Sequence, residues 1–308
     1  MFKRKKILLV VNPTSGMNSK RVPPEKVIEM FSEDDYEFSV HKTERSGDAV
    51  EIVKSNGENN DIIVCCGGDG TFNETVNGVM SLAEKKPLGY LPMGSTNDLA
   101  NTIGIPTKIK EAVEVIKKNK PVGYDIGRFQ NRYFSYIASF GPATKLSYDT
   151  PQKLKNIFGH GAYMINCFIF KLIPTVRDVK PVHIKIEHDD GVIDGIFYFV
   201  AVSNSTSVAG VFSYDRSTVR LNDGKLEMLL VKNLKSPLES FHMLSKLIRK
   251  DYSGDNIMLI RSRNFRLTFD EPHAWTLDGE YGGEYTDVVI ETKQKGIDIF
   301  CKAGELFE

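Results

Sequence analysis

The stretch from Asp61 to Gly70 constrains the fold more than any other part of this 308-residue chain. Asp61–Cys66 holds an unbroken apolar run, the pattern of a strand covered on both faces in a parallel sheet. Gly67-Gly68-Asp69-Gly70 follows at once, and Thr71–Leu82 then repeats with helical period. A buried strand, a glycine turn and a helix make half of a β-α-β unit. The segments around it extend the same alternation. Ile7–Val11, Phe38–His41 and Leu88–Leu91 read as strands, and Pro23–Phe31, Asp48–Ser55 and Ile109–Lys118 as helices. Strands alternating with helices place ligands in the loops at the carboxyl ends of the strands, here the loops after Val11, Cys66 and Leu91.

After about residue 124 the texture changes. Val182, Ile184 and Ile186 alternate with His183, Lys185 and Glu187, then Asp190-Gly191 marks a turn before Ile196–Val202. Lys225–Val231, Phe265–Phe269 and Val288–Glu291 continue the period of two. This half reads as a mainly antiparallel β-sandwich, interrupted by a helix that opens at Ser236-Pro237-Leu238-Glu239. The expected division is 1–123 for a nucleotide-binding α/β domain, 124–295 for the β-sandwich domain, and 296–308 for a segment returning to the first domain.

Charge and cysteine content narrow the function. Lys+Arg and Asp+Glu number 40 each, so nothing in the bulk charge favours nucleic acid. Cys65, Cys66, Cys167 and Cys301 have no metal-ligand spacing and read as free thiols of a reducing compartment. The basic start Met1–Lys6 precedes only five apolar residues before Asn12-Pro13, too few for a signal peptide. Nor does any run approach the ~18 apolar residues of a membrane helix. The reading is a cytoplasmic protein.

Three glycines around an acid suit a phosphate cradle. Gly67, Gly68 and Gly70 let the backbone approach a ligand, the start of the following helix offers N–H groups and the positive end of its dipole, and Asp69 supplies an oxygen where a phosphate-bound Mg²⁺ needs one. The spacing is neither a Walker loop nor a dinucleotide fingerprint. Two further loops share this character: Asn12-Pro13-Thr14-Ser15-Gly16, and Gly94-Ser95-Thr96-Asn97, whose polar residues also suit a helix cap. Their convergence on one sheet edge would make a single nucleotide site. Asp278, in the turn Leu277-Asp278-Gly279-Glu280, reads as an ordinary hairpin residue or as a carboxylate near an acceptor hydroxyl, with Trp275 and Tyr281 placed to exclude water.

In that order and spacing, Asn12-Pro13 with Ser15-Gly16, Gly67–Glu74 and Gly94–Ala100 resemble the diacylglycerol kinase catalytic family, which includes bacterial lipid kinases and has sphingosine and ceramide kinases as relatives. Tyr124-Asp125-Ile126-Gly127, Asn204, Asn222-Asp223-Gly224 and Leu277–Glu280 resemble its later motifs. The resemblance implies an NAD-kinase-like α/β domain followed by a β-sandwich, with the active site in the cleft between. It implies ATP bound by Asn12, Pro13, Thr14, Ser15, Gly16, Thr43, Gly67, Gly68, Asp69, Gly70, Thr71, Phe72, Asn73, Glu74, Gly94, Ser95, Thr96 and Asn97. Asp69 and Asp125 would organise a catalytic Mg²⁺, partly through water, and Asp278 would take the proton of a lipid hydroxyl with Glu280 in support. Asp223 would belong to a structural Mg²⁺ site, but where the family carries another acid three residues earlier this chain has Arg220. After Asn204, the stretch Ser205–Gly210 has a single glycine, Gly210.

The expected reaction is transfer of the γ-phosphate of ATP to diacylglycerol or a similar lipid, met transiently at the inner membrane surface. A catalytically inactive nucleotide- or lipid-binding regulator and an NAD kinase are the alternatives. Phe158–Ile173, apolar and flanked by Lys153, Lys155 and Arg177, reads either as an acyl-chain or bilayer contact or as a buried helix. An exposed sheet edge would support a homodimer.

Overall fold

In the computed structural model, residues 4–16, 22–31, 35–141, 180–208, 212–213, 219–232, 239, 246, 249, 256–302 and 304–307 are described. Cys167, the apolar segment 158–173 and most of the expected helix at 236 lie outside them. The chain divides into two compact units, Met1–Ile126 with Gln294–Glu308, and Gly127–Lys293.

The first unit is built on parallel strands. β1 (Lys5–Val11), α1 (Pro24–Phe31), β2 (Tyr36–Lys42), α2 (Asp48–Asn56), β3 (Ile62–Gly67), α3 (Asp69–Val79), β4 (Pro87–Pro92), α4 (Asp98–Thr102) and α5 (Ile109–Lys118) follow in order. The sheet runs β2-β1-β3-β4, every pair parallel. β3 is buried at all six positions, so both its faces are covered, as its unbroken apolar run requires. The helices form from apolar residues spaced to line one side. In α5 these are Ile109, Ala112, Val113 and Ile116, with Lys117 and Lys118 in the last turn, where cations suit the helix dipole.

Burial and glycine set the spacing of these layers. α3 approaches α2 so closely that a Cβ on Gly78 would lie 2.6 Å from the Val53 Cβ, and one on Gly89 in β4 would lie 2.6 Å from Ile116 in α5. Cys65, Cys66 and Cys301 are free and buried. Burial pushes the Cys65 thiol up to about 12, so it stays protonated and serves as core packing.

The second unit is antiparallel. It holds the end of β5 (Val122–Phe129), β6 (Arg132–Phe134), β7 (Ile137–Phe140), β8 (Val182–His188), β9 (Gly191–Ser203), β10 (Ser207–Val208), β11 (Phe212–Ser213), β12 (Leu226–Lys232), β13 (Ile257–Ser262), β14 (Asn264–Leu277) and most of β15 (Glu280–Ile299). β8 and β9 form the hairpin expected at Asp190-Gly191. The long strands β9 and β14 each pair with β8 over one part of their length and with β7 over another. Inward residues, among them Phe134, Ile184, Phe197, Met228, Leu267 and Trp275, form one core. Trp275 is fully buried there and packs on Phe129 and Phe140, so the water-excluding place expected for it near Asp278 is instead a core position.

The last residues of β15 belong to the first unit. Asp298 and Ile299 pair in parallel with Pro87 and Leu88 of β4, and Lys85 binds the Asp298 carboxylate. Gly78→Leu is expected to destabilise the first unit by roughly 1–3 kcal/mol through overpacking against Val53. A denaturant midpoint unchanged from the parent chain would contradict that packing.

Candidate nucleotide site and anchored carboxylates

The loops after β1, β3 and β4 meet in the first unit, all at the carboxyl ends of their strands. Asn12 N–H donates to the Cys66 carbonyl at 2.9 Å, and Met93 N–H donates to the Gly67 carbonyl at 2.8 Å. The Asn12 side-chain amide donates to Thr71 Oγ1 at 2.9 Å, tying the first loop to the start of α3. Between these tethers the backbones touch with no side chain between them. A Cβ on Gly68 would lie 3.2 Å from Gly94 Cα and 3.1 Å from Ser15 Oγ, and one on Gly94 only 2.7 Å from Gly68 Cα. Gly16, at φ +69°, has its Cβ position 1.9 Å from the Met93 carbonyl oxygen, so only glycine fits.

Asn97 staples the third loop. It is buried in the left-handed region at φ 53°. Its Oδ1 accepts from Gly94 N–H at 2.9 Å while its Nδ2 donates to the Gly94 carbonyl at 3.0 Å. Tyr90 OH donates to the same Oδ1 at 3.3 Å. Burial pushes the Tyr90 hydroxyl well up from its usual range, which keeps it a donor. The side-chain cap expected of Asn97 does not form. Its carboxamide turns back to the loop, and α4 starts without a side-chain cap.

Several residues expected to touch nucleotide have other tasks. Phe72 is buried against Tyr90, with ring centroids 4.5 Å apart. Asn73 is also buried. Glu74 accepts from Ser46 Oγ, Gly47 N–H and Ala49 N–H, so it holds the start of α2. Thr43 is buried and its N–H donates to the Val11 carbonyl, beside the first loop. Pro13, Thr14 and Ser95 are exposed, Ser15 and Thr96 half-buried. Asp69 is the first residue of α3 and half-buried. Asp125 is fully buried, and its Oδ1 accepts from Lys295 N–H at 2.6 Å, a partner 170 residues away. Among the described residues, no group of three or more His, Cys, Asp or Glu is placed to hold a metal.

In the second unit Asp278, Asp223 and Glu227 are anchored carboxyl groups. Asp278 and Gly279, both at positive φ, form the tight turn between β14 and β15. Asp278 Oδ2 accepts from Ser135 N–H at 2.7 Å and Ser135 Oγ at 2.9 Å, and its Oδ1 accepts from Tyr136 and Ile137 N–H at 2.9 and 2.8 Å. Donors from three consecutive residues thus converge on one carboxylate. Glu280 is exposed at the start of β15. Asp223, expected beside a metal ion, is instead bonded to the Arg261 guanidinium. Arg261 also meets the fully buried Glu227 at 3.1 Å. Burial pushes the Glu227 carboxyl up to about 8, with Arg261 pulling the other way. Sequence reading missed Arg261 and Ser135, whose partners lie 34 or more residues away, and Tyr90, whose hydroxyl reaches back to Asn97 from inside an apolar strand.

A diacylglycerol kinase of Staphylococcus aureus (strain MRSA252) is 34% identical over 304 residues, covering 97% of this chain and 93% of its own. The chain belongs to the diacylglycerol kinase family. A diacylglycerol kinase of Staphylococcus saprophyticus is 32% identical over 96% of this chain and 95% of its own. The family profile for the diacylglycerol kinase catalytic domain matches residues 6–129, which include all three loops. Two solved chains from Bacillus anthracis str. Sterne, one of them a diacylglycerol kinase, share the fold over 98% of both chains in each comparison. Their TM-scores are 0.71 and 0.79, at 21% and 24% identity.

Asn97→Ala removes the staple from a buried loop and leaves Gly94 polar groups unpaired. A loss of about 1–3 kcal/mol in unfolding free energy is expected. A variant as stable as the parent chain would show that the staple does not hold the loop.

Proposed function

We propose that this chain transfers the γ-phosphate of ATP to the hydroxyl of diacylglycerol or a closely similar lipid, giving a phosphatidic acid or its equivalent. The observation that carries the nucleotide half is the contact of Gly68 with Gly94 beside the Gly16–Met93 approach. It leaves bare backbone next to the N-terminus of α3, an eleven-residue helix whose first N–H groups suit phosphate oxygens. Family membership over nearly the whole chain supports the lipid as acceptor and disfavours the NAD kinase and inactive-regulator readings. We read the two units as the NAD-kinase-like domain and the β-sandwich domain of that family.

Phosphoryl transfer has a loose transition state, so the protein's part is in-line positioning and charge placement. The three loops fix the triphosphate, and Thr43, beside the first loop, borders the nucleotide. Asp69 fits a place beside the phosphates by its position in the first turn of α3. Mg²⁺, when bound there, neutralises phosphate charge. Asp125, buried and spent on Lys295, fits a supporting place that fixes the returning Gln294–Ile299 segment.

Asp278 is the proposed acceptor of the lipid hydroxyl proton, with Glu280 exposed nearby in the same hairpin. Of the donors from Ser135–Ile137, the three backbone N–H groups cannot turn away, whereas the Ser135 hydroxyl can rotate. The substrate hydroxyl would take the place of Ser135 Oγ on Oδ2. The lipid would be met at the inner membrane surface, in keeping with the absence, among the described residues, of a helix long and apolar enough to cross a membrane. β2, at one edge of the first unit's sheet with Val40 exposed, is a candidate surface for self-association.

The test is incubation of the purified chain with labelled ATP, Mg²⁺ and mixed micelles of diacylglycerol, phosphatidylglycerol, ceramide or sphingoid base, with NAD in a parallel tube. Label is expected in the diacylglycerol phase, and Asp69→Asn should lower its appearance roughly 100-fold or more. Label in NAD, or in no acceptor despite ATP binding, would refute the proposal.

A further inference from the structure

We infer that Arg261 is a built-in cation of the second unit, standing where a divalent ion would otherwise neutralise Asp223, so that this unit holds its fold without metal. Three chain segments meet at the guanidinium. The turn before β12 supplies Asp223, whose Oδ2 accepts from Arg261 Nη2 and whose Oδ1 accepts from Lys225 N–H at 3.0 Å. β12 supplies Glu227, whose Oε1 accepts from Arg261 Nε at 3.1 Å. β13 supplies Arg261 itself, directly opposite Glu227 in the antiparallel register. The side chain of Glu227 is 0% exposed and that of Asp223 only 20%.

Burial opposes ionisation of Glu227, and an ionised Asp223 beside it adds to that cost, while the Arg261 guanidinium works against both. An arginine supplies that cation permanently, because its guanidinium does not lose its proton in proteins and its fork reaches two acids at once. A divalent ion at the same oxygens would have to displace it or sit against its positive charge. Arg220, three residues before Asp223, is a further cation near this turn rather than an acid, and its guanidinium donates to the Val219 carbonyl. The donor set therefore does not suit Mg²⁺. It suits an arginine bridging two acids, which pins the turn at Asn222-Asp223-Gly224 to β13.

Thermal unfolding of the purified full chain without nucleotide tests this. In chelator and in excess Mg²⁺ the midpoint is expected to be the same. A midpoint that falls in chelator and returns with Mg²⁺ would overturn the inference. Arg261→Met should lower the midpoint by roughly 5 °C or more. Adding Glu227→Gln to Arg261→Met should recover part of that loss, because the amide removes the cost of burying an ionisable carboxyl without its partner. A double variant no more stable than Arg261→Met, including the case in which neither folds, would equally overturn it.

Discussion

The contact between Gly68 and Gly94 is the constraint on which the proposed nucleotide site depends. Two loops leaving adjacent parallel strands diverge unless something draws them together, and here the Cβ position of Gly94 is already occupied by Gly68 Cα. Any side chain at either glycine would push the loops apart. Around this contact, Asn97 closes its hydrogen bonds on Gly94, Asn12 reaches Thr71, and Asp69 stands at the head of α3. The layers beneath obey a similar rule. Gly78 and Gly89 let α3 and β4 approach their neighbours.

The second unit meets a different problem: carboxyl groups within or near a β core need donors or cations close by. Asp278 meets that need with three N–H groups and one hydroxyl from Ser135–Ile137, and Glu227 with Arg261. Both solutions join distant strands. Each acid is therefore a structural fastener, whatever chemistry Asp278 also performs. Among the donors from Ser135–Ile137, the Ser135 hydroxyl can move without moving backbone.

Much of the first unit was legible because its strands are buried on both faces and read as unbroken apolar runs. The run ending at Cys66 became β3, and Leu88–Leu91 became the centre of β4. The glycine loops were legible for the same reason that they work, since close backbone approach excludes other residues. Pairings over long separations were not legible. Nothing near Asp125 points to Lys295, and nothing near Glu74 marks it as the anchor for α2. Charge alone was equally ambiguous: Asp223 read as a metal ligand until Arg261, 38 residues away, appeared beside it. Trp275 misled because an aromatic near a polar turn suits a cleft wall as well as a core, and only its neighbours Phe129 and Phe140 decide.

Hydrogen exchange of the backbone amides, followed with and without ATP and Mg²⁺, tests the central claim most directly. Bound nucleotide should slow exchange in the loops at 12–16, 67–72 and 94–97 together, since one ligand would cover amides that three strands deliver to one place. Protection confined to other segments, or protection of one loop with the other two unchanged, would contradict a shared phosphate cradle.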